Sequence, residues 1–328
     1  MADATLDIVA MGDAIVDVIA SCDDDFLTAH DLPKGSMQLL SPPEAEKLYG
    51  AMGVAREMSG GSAANSMAGF AAMGGSAAFI GQIAEDQLGL IFEHDMHALG
   101  VRFDTPSLEG GLPTGRCLIL VTPDGQRTMN TCPGASHELS PDALDEQLIA
   151  SASILFLEGY LWGPDKPRAA MMRAVDIAHR AGRQVAFTLS ESVCIAGRKE
   201  GFARMIDNGG VDLLFANEDE ALQLTGHADL STALDELKAK VPTLVVTKGA
   251  AGALAIEKGQ TISIPAAPVS QVVDTTGAGD LFAAGFLAAR CKGASLERCL
   301  WTGAIAAGEV IQHYGARPIA DLKPLVQL

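Results

Sequence analysis

The stretch Asp274-Thr-Thr-Gly-Ala-Gly-Asp280 combines residue types and spacing that can do chemistry. It runs into Leu281-Phe-Ala-Ala-Gly-Phe-Leu-Ala-Ala-Arg290, a helical pattern with Gly293 placed as its C-terminal cap. The Gly-Ala-Gly turn therefore falls at a helix N-terminus, where unpaired N–H groups and the helix dipole attract an anion. Glycines there let the backbone come close to a phosphoryl group. Asp280 follows the turn directly, placed to take the proton of an incoming hydroxyl, and the helix N-terminus is expected to keep it ionised. A weak base suffices, because phosphoryl transfer runs through a loose transition state. The plainer alternative is an aspartate capping an Ala-rich helix. The rarity of Thr-Gly-Ala-Gly-Asp as a chance string favours the chemical reading.

A second cluster is Asn217-Glu-Asp-Glu220, just after an apolar strand. Asn217 and Glu220 stand three apart, on one face of a helix's first turn. An amide and a carboxylate there suit the water shell of Mg²⁺ carried by ATP. They suit a helix capping box equally well. A third, Thr247-Lys248-Gly249, opens a strand end onto a turn fit for the edge of a nucleotide. For a ligand with several hydroxyls, Asp13 and Asp17 supply acceptors after the first strand. Gly60 and Gly61 admit close backbone approach, and Asn65 offers both donor and acceptor. Other phosphate chemistries lack their signatures: there is no Gly-Lys-Ser/Thr, and Gly277-Ala-Gly279 lacks the third glycine of a dinucleotide fingerprint.

These residues need a scaffold that brings distant segments together. Short aliphatic runs, at Leu6–Met11, 77–80, 154–157, 185–188, 213–216 and 244–247, alternate with helical patterns at 62–73, 89–99, 167–181, 218–225 and 232–241. That rhythm predicts an α/β fold with a mostly parallel central sheet covered by helices on both faces. Two segments, about 13–40 and 102–130, read instead as extended pieces with turns. They are expected to form a small antiparallel sheet outside the main layers, acting as a lid on one domain spanning 1–328.

Composition narrows the function. The chain carries 41 acidic and 23 basic residues, a formal net charge of −18, so a polyphosphate backbone is repelled and a nucleic-acid partner is not expected. Six cysteines without a C-x-x-C pair fit a reducing cytoplasm. The N-terminal stretch, with Asp3 and Asp7 in its apolar run, reads as neither a leader nor a membrane span.

Taken in order, Gly12-Asp-Ala-Ile-Val-Asp17, Gly60-Gly-Ser-Ala-Ala-Asn65, Gly81-Gln-Ile-Ala-Glu-Asp-Gln-Leu-Gly89, Asn217-Glu-Asp-Glu220 and Asp274–Asp280 resemble the ribokinase-like (PfkB) family of carbohydrate and nucleoside kinases. The third element carries Ala84 where the family has glycine. The resemblance spans essentially the whole chain and implies a Rossmann-like core with a β-sheet lid. It also implies Asp280 as catalytic base and the Gly277, Ala278 and Gly279 amides as anion hole. Asn217 and Glu220 would manage Mg²⁺, and Thr247, Lys248 and Gly249 would line the ATP site. Asp274 and Thr276 match positions that help bind an activating monovalent cation, K⁺, in many members. Asp17 and Asn65 would hold ribose hydroxyls.

The segments Met11–Ala20, 23–27 and 35–40 look most like the adenosine kinase branch, in which the stretch around Met37 and Gln38 reaches the base. Arg127 matches a lid arginine that closes over the transferring phosphate. The Gly134-Ala135 and Trp162 regions are closer to bacterial sugar kinases. Adenosine is thus the expected acceptor, with other nucleosides, ribose or fructose as alternatives. A catalytically silent ligand sensor is the rival of another class, and the intact Gly-Ala-Gly-Asp speaks against it. The expected partners are the small substrate and ATP, with the chain a monomer or a homodimer.

Overall fold

The computed structural model describes residues 4–327; Asp3, used above, and both ends of the 1–328 expectation lie outside them. Nine strands make the main sheet, in the order β14-β13-β12-β11-β10-β9-β1-β5-β6. They are β1 (Leu6–Met11), β5 (Ala77–Ile80), β6 (Val101–Arg102), β9 (Ala152–Glu158), β10 (Gln184–Thr188), β11 (Leu213–Asn217), β12 (Thr243–Thr247), β13 (Ala253–Glu257) and β14 (Gln260–Ile264). Strands from β12 to β6 are parallel, and β13 and β14 close one edge as an antiparallel hairpin.

The period of two divides each central strand between two cores. Ile8 and Ala10 of β1 join Ile154 and Phe156 of β9 on one face, under the helices Ser62–Ala72 and Ala278–Cys291. Val9 and Met11 join Leu155 and Leu157 on the other, under Asp165–Arg180. Both faces are buried, which is why these runs are apolar throughout instead of alternating.

The second sheet has the order β3-β8-β7-β2-β4, from β2 (Ile15–Ser21), β3 (Met37–Leu39), β4 (Ala55–Gly60), β7 (Gly115–Val121) and β8 (Arg127–Cys132). It differs from the expectation in three ways. The pairs β2–β7 and β3–β8 are parallel, and only β2–β4 and β7–β8 are antiparallel. Asp24–Ala29 is a short helix capped by Asp23 inside a segment read as extended. A further segment contributes β4, whose Ala-Arg-Glu-Met-Ser-Gly has no alternating apolar pattern; pairing with β2 makes it a strand.

Candidate active site

The parallel strands end along one edge of the main sheet, where ligands bind in open α/β sheets. A cleft of about 1090 Å³ lies there, between that edge and the small sheet. Asp280 stands at its centre, in the first turn of the Ala278–Cys291 helix. Gly277 precedes the helix at φ +78, where a Cβ would meet Ala316 at 2.7 Å, so glycine is required. The Gly277 and Gly279 N–H groups have no acceptor among the described residues. That of Ala278 donates to the Thr275 carbonyl at 3.2 Å, so two of the three expected anion-hole amides are free.

Asp280 Oδ1 accepts the Ser62 hydroxyl at 2.6 Å and Oδ2 accepts Asn65 Nδ2 at 3.0 Å. Burial raises its carboxyl above the ordinary value, against the pull of those two bonds and the Arg317 charge. Desolvation in the cleft thus works against the expected ionisation of Asp280. Asn65 keeps a buried Oδ1 with no partner, on the cleft wall.

Asp17 faces the same space, and its carboxylate accepts no hydrogen bond among the described residues. Burial pushes it up to about 6, while Arg317 and Arg127 pull it down. Gly60 makes room for it: a Cβ there would lie 2.5 Å from Asp17 Cγ and Oδ1. At Gly61, φ +93 and the Asp13 carbonyl oxygen leave no space for a side chain. Both glycines thus accommodate the aspartates, and Gly61 also lines the cleft. Asp13 accepts the Ser136 hydroxyl at 2.8 Å, and burial raises its carboxyl although His137 and Ser136 oppose this.

At the nucleotide end, Asn217 and Glu220 form the capping box. Asn217 N and Nδ2 donate to the two Glu220 carboxylate oxygens, each at 2.9 Å, and Asn217 Oδ1 accepts Glu220 N at 2.8 Å. Both residues also border the cleft, so the two readings of the motif are compatible. Each Glu220 oxygen accepts one bond and keeps a second lone pair. Burial lifts the group to about 7 despite the Asn217 bond. Among the described residues no three His, Cys, Asp or Glu side chains cluster as a metal cage. The set fits Mg²⁺ held mainly by water and phosphate oxygens. Thr247 lines the cleft, whereas Lys248 and Gly249 follow it into a short turn beyond the lining.

Two expectations meet a different geometry. Gln38 borders the cleft, but strand alternation puts its side chain on the far face from Met37, where Nε2 donates to the buried Asn130 at 2.7 Å. Its Nε2 is thus engaged within the small sheet. Arg127, in place of an open lid position, is ion-paired with Asp274 and donates to Thr276 Oγ1 at 3.2 Å.

Sequence reasoning passed over three residues. Glu158 is fully buried and accepts the Asp13 and Ala63 N–H groups, both at 2.6 Å, holding the segments after β1 and β4 together. Burial raises it well above the ordinary range, the Asp13 charge adds to this, and the two N–H bonds oppose it. A glutamate ending an apolar strand was its signal. Arg317 donates to the Ser59 and Ala64 carbonyls at 3.0 and 2.9 Å, between Asp17 and Asp280. Burial lowers it to about 10, so it stays charged. Nothing local marks it. Ser62 followed directly on the glycine pair.

A carboxylate beside a helix N-terminus, in a cleft lined by further hydroxyl acceptors, is the arrangement a phosphotransferase acting on an alcohol group needs. The profile of the pfkB family carbohydrate kinases matches residues 48–322, and the chain belongs to that family; it is a nucleoside or sugar kinase. Two solved structures are closely similar. An adenosine kinase from Sinorhizobium meliloti is 44% identical with a TM-score of 0.92, covering 99% of both chains. A probable sugar kinase from Rhizobium etli CFN 42 is 42% identical with a TM-score of 0.93, covering 99% of this chain and 98% of its own. A ribokinase from Arabidopsis thaliana is 28% identical over 312 residues, 88% of this chain and 76% of its own. Kinases of this family use ATP with Mg²⁺. No helix among the described residues is long and apolar enough to cross a membrane.

Proposed function

We propose that the protein phosphorylates the 5′-hydroxyl of a nucleoside, adenosine first, from ATP. The observation that carries this is the apolar wall beside Asp17, on the same face of the small sheet. Ile15, Cys117, Ile119, Met129 and Met37 share the cleft face of the small sheet by strand alternation and register. A free sugar has no use for an apolar wall, whereas a purine buries both ring faces against one. Similarity to the adenosine kinase from Sinorhizobium meliloti supports the same choice.

In this mechanism Asp17 and the unpartnered Asn65 Oδ1 take the ribose hydroxyls, with Asp13, steadied by Ser136, beside them. Asp280 accepts the 5′-hydroxyl proton. The free Gly277 and Gly279 amides, with Ala278 in the same turn, hold the charge that develops on the transferred phosphoryl group. Arg127 adds positive charge behind that turn. Asn217 and Thr247 border the nucleotide, and Lys248 and Gly249 form the turn just beyond it. Mg²⁺, when bound with ATP, neutralises and orients the phosphates, and Asn217 and Glu220 would hold its water shell. The small sheet, built from 15–60 and 115–132, acts as a lid that closes over the nucleoside and excludes water. The cytoplasm, where ATP and nucleosides meet, is the fitting location.

The test is ADP release with Mg-ATP and a panel of adenosine, inosine, guanosine, cytidine, ribose and fructose. A clear preference for adenosine is expected. Preference for ribose or fructose would refute the nucleoside assignment and keep the chemistry.

A further inference from the structure

The family resemblance places a monovalent cation at Asp274 and Thr276, and the donor set here does not fit one. A carboxylate has about four lone pairs to offer. Asp274 Oδ1 accepts Thr276 N at 3.0 Å and Thr276 Oγ1 at 2.7 Å. Its Oδ2 accepts Gly315 N at 2.9 Å and Arg127 Nη1. All four are used, by protein donors. The contrast with Glu220, whose oxygens each keep a lone pair, is direct.

The charge at this point is also already balanced. The Arg127 and Asp274 side chains are only 9% and 6% exposed, so the ion pair is shielded from water. A second cation beside a buried guanidinium would be repelled with little screening. The Arg127 guanidinium further donates to the hydroxyl of Thr276, the residue before Gly277. It thus does what a bound ion would do: it fixes the loop that enters the anion hole and adds positive charge behind it.

We propose that Arg127 is the resident cation of this loop and that the enzyme works without a monovalent metal ion. The consequence for turnover rests on the kinase reading above; the structural part does not. Arg127 is a positioning residue here, acting through Asp274 and Thr276, and it joins the small sheet to the phosphate end of the site.

Thermal unfolding of the ligand-free protein in KCl, in sodium chloride and in tetramethylammonium chloride, each at about 100 mM so that screening is matched, tests the structural part. The wild-type midpoint is expected to be the same in all three salts. Arg127→Met, which empties the place of the guanidinium, is expected to unfold earlier in tetramethylammonium and to recover in KCl. A wild-type midpoint raised about 3 °C or more by KCl over both tetramethylammonium and sodium chloride would overturn the proposal, because a K⁺-specific rise of that size at matched ionic strength marks an ion bound to the native state. Should Arg127→Met fail to fold, the wild-type comparison still decides. ADP release in the same salts is the second readout, expected to agree within about twofold; tenfold stimulation by K⁺ would also overturn it. A preparation inactive toward every acceptor would count against the kinase reading, with the unfolding result deciding the cation question separately.

Discussion

Replacing Asp280 by asparagine removes the base while leaving the fold a way to adjust. In the wild type, Asp280 Oδ1 accepts Ser62 Oγ at 2.6 Å and Oδ2 accepts Asn65 Nδ2 at 3.0 Å. The new amide oxygen keeps the Ser62 bond. The new amide nitrogen faces the Asn65 nitrogen, a donor against a donor. Asn65 has an unpartnered Oδ1, however, and a half-turn of its amide brings that acceptor into place. The hydrogen-bond count is then preserved, and loss of a buried carboxylate relieves desolvation. Asp280→Asn should therefore fold with stability within about 1 kcal/mol of the wild type. General base catalysis contributes about 10²–10⁴ in rate, or roughly 3–5 kcal/mol of barrier. The assay is ADP release at saturating Mg-ATP and nucleoside, beside calorimetric titration of the nucleoside. Turnover should fall by about that factor, with affinity within about tenfold, since the base acts mainly in the transition state. Turnover within about threefold of wild type, in a protein that binds nucleoside normally, would refute the role of Asp280.

Gly60→Ala puts a methyl group 2.5 Å from Asp17 Cγ, against an ordinary carbon contact of about 3.5–4 Å. The forced displacement of about 1 Å should lower kcat/KM roughly a hundredfold; an unchanged KM for nucleoside would separate Asp17 from substrate binding. With Asp17 at about 6, kcat/KM should climb with pH through that value, and the limb should vanish in Asp17→Asn. The raised pKa means the folded state holds this proton to higher pH than the unfolded chain. The resulting stability is complete below 3.8 and is lost as pH rises through about 6. Asp17→Asn should accordingly raise the unfolding temperature at neutral pH, a gain that shrinks under acid conditions and is read by thermal scans across pH. Glu220→Gln leaves one acceptor oxygen for the two Asn217 donors and sets its amide nitrogen against the other, a donor against a donor, and it loses the anionic oxygens. Its unfolding midpoint should fall, a buried donor without a partner costing about 1–3 kcal/mol, while the KM for Mg-ATP rises about tenfold, measured by titrating Mg-ATP at fixed nucleoside.

Chemistry was legible wherever it was local. The Gly-Ala-Gly turn before Asp280, and the three-residue spacing of Asn217 and Glu220, are facts of one helix start, so the chain order announces them. Six strands of the main sheet were readable for the same reason, burial on both faces leaving a continuous signature, whereas β6 and the β13–β14 hairpin at its edges were not. The β4 strand and the parallel pairs of the small sheet were not, because pairing made over long sequence distances decides them and side-chain pattern does not. The sequence by itself determined an α/β kinase with an aspartate at the head of a helix. Only the tertiary structure decided that Gln38 turns away from the cleft and that Arg127 reaches across 147 positions to Asp274. It alone brings Glu158 and Arg317 into the site. The physical reason is the same in each case: strand register and buried charge pairing depend on which partner stands opposite, and no residue carries that information alone.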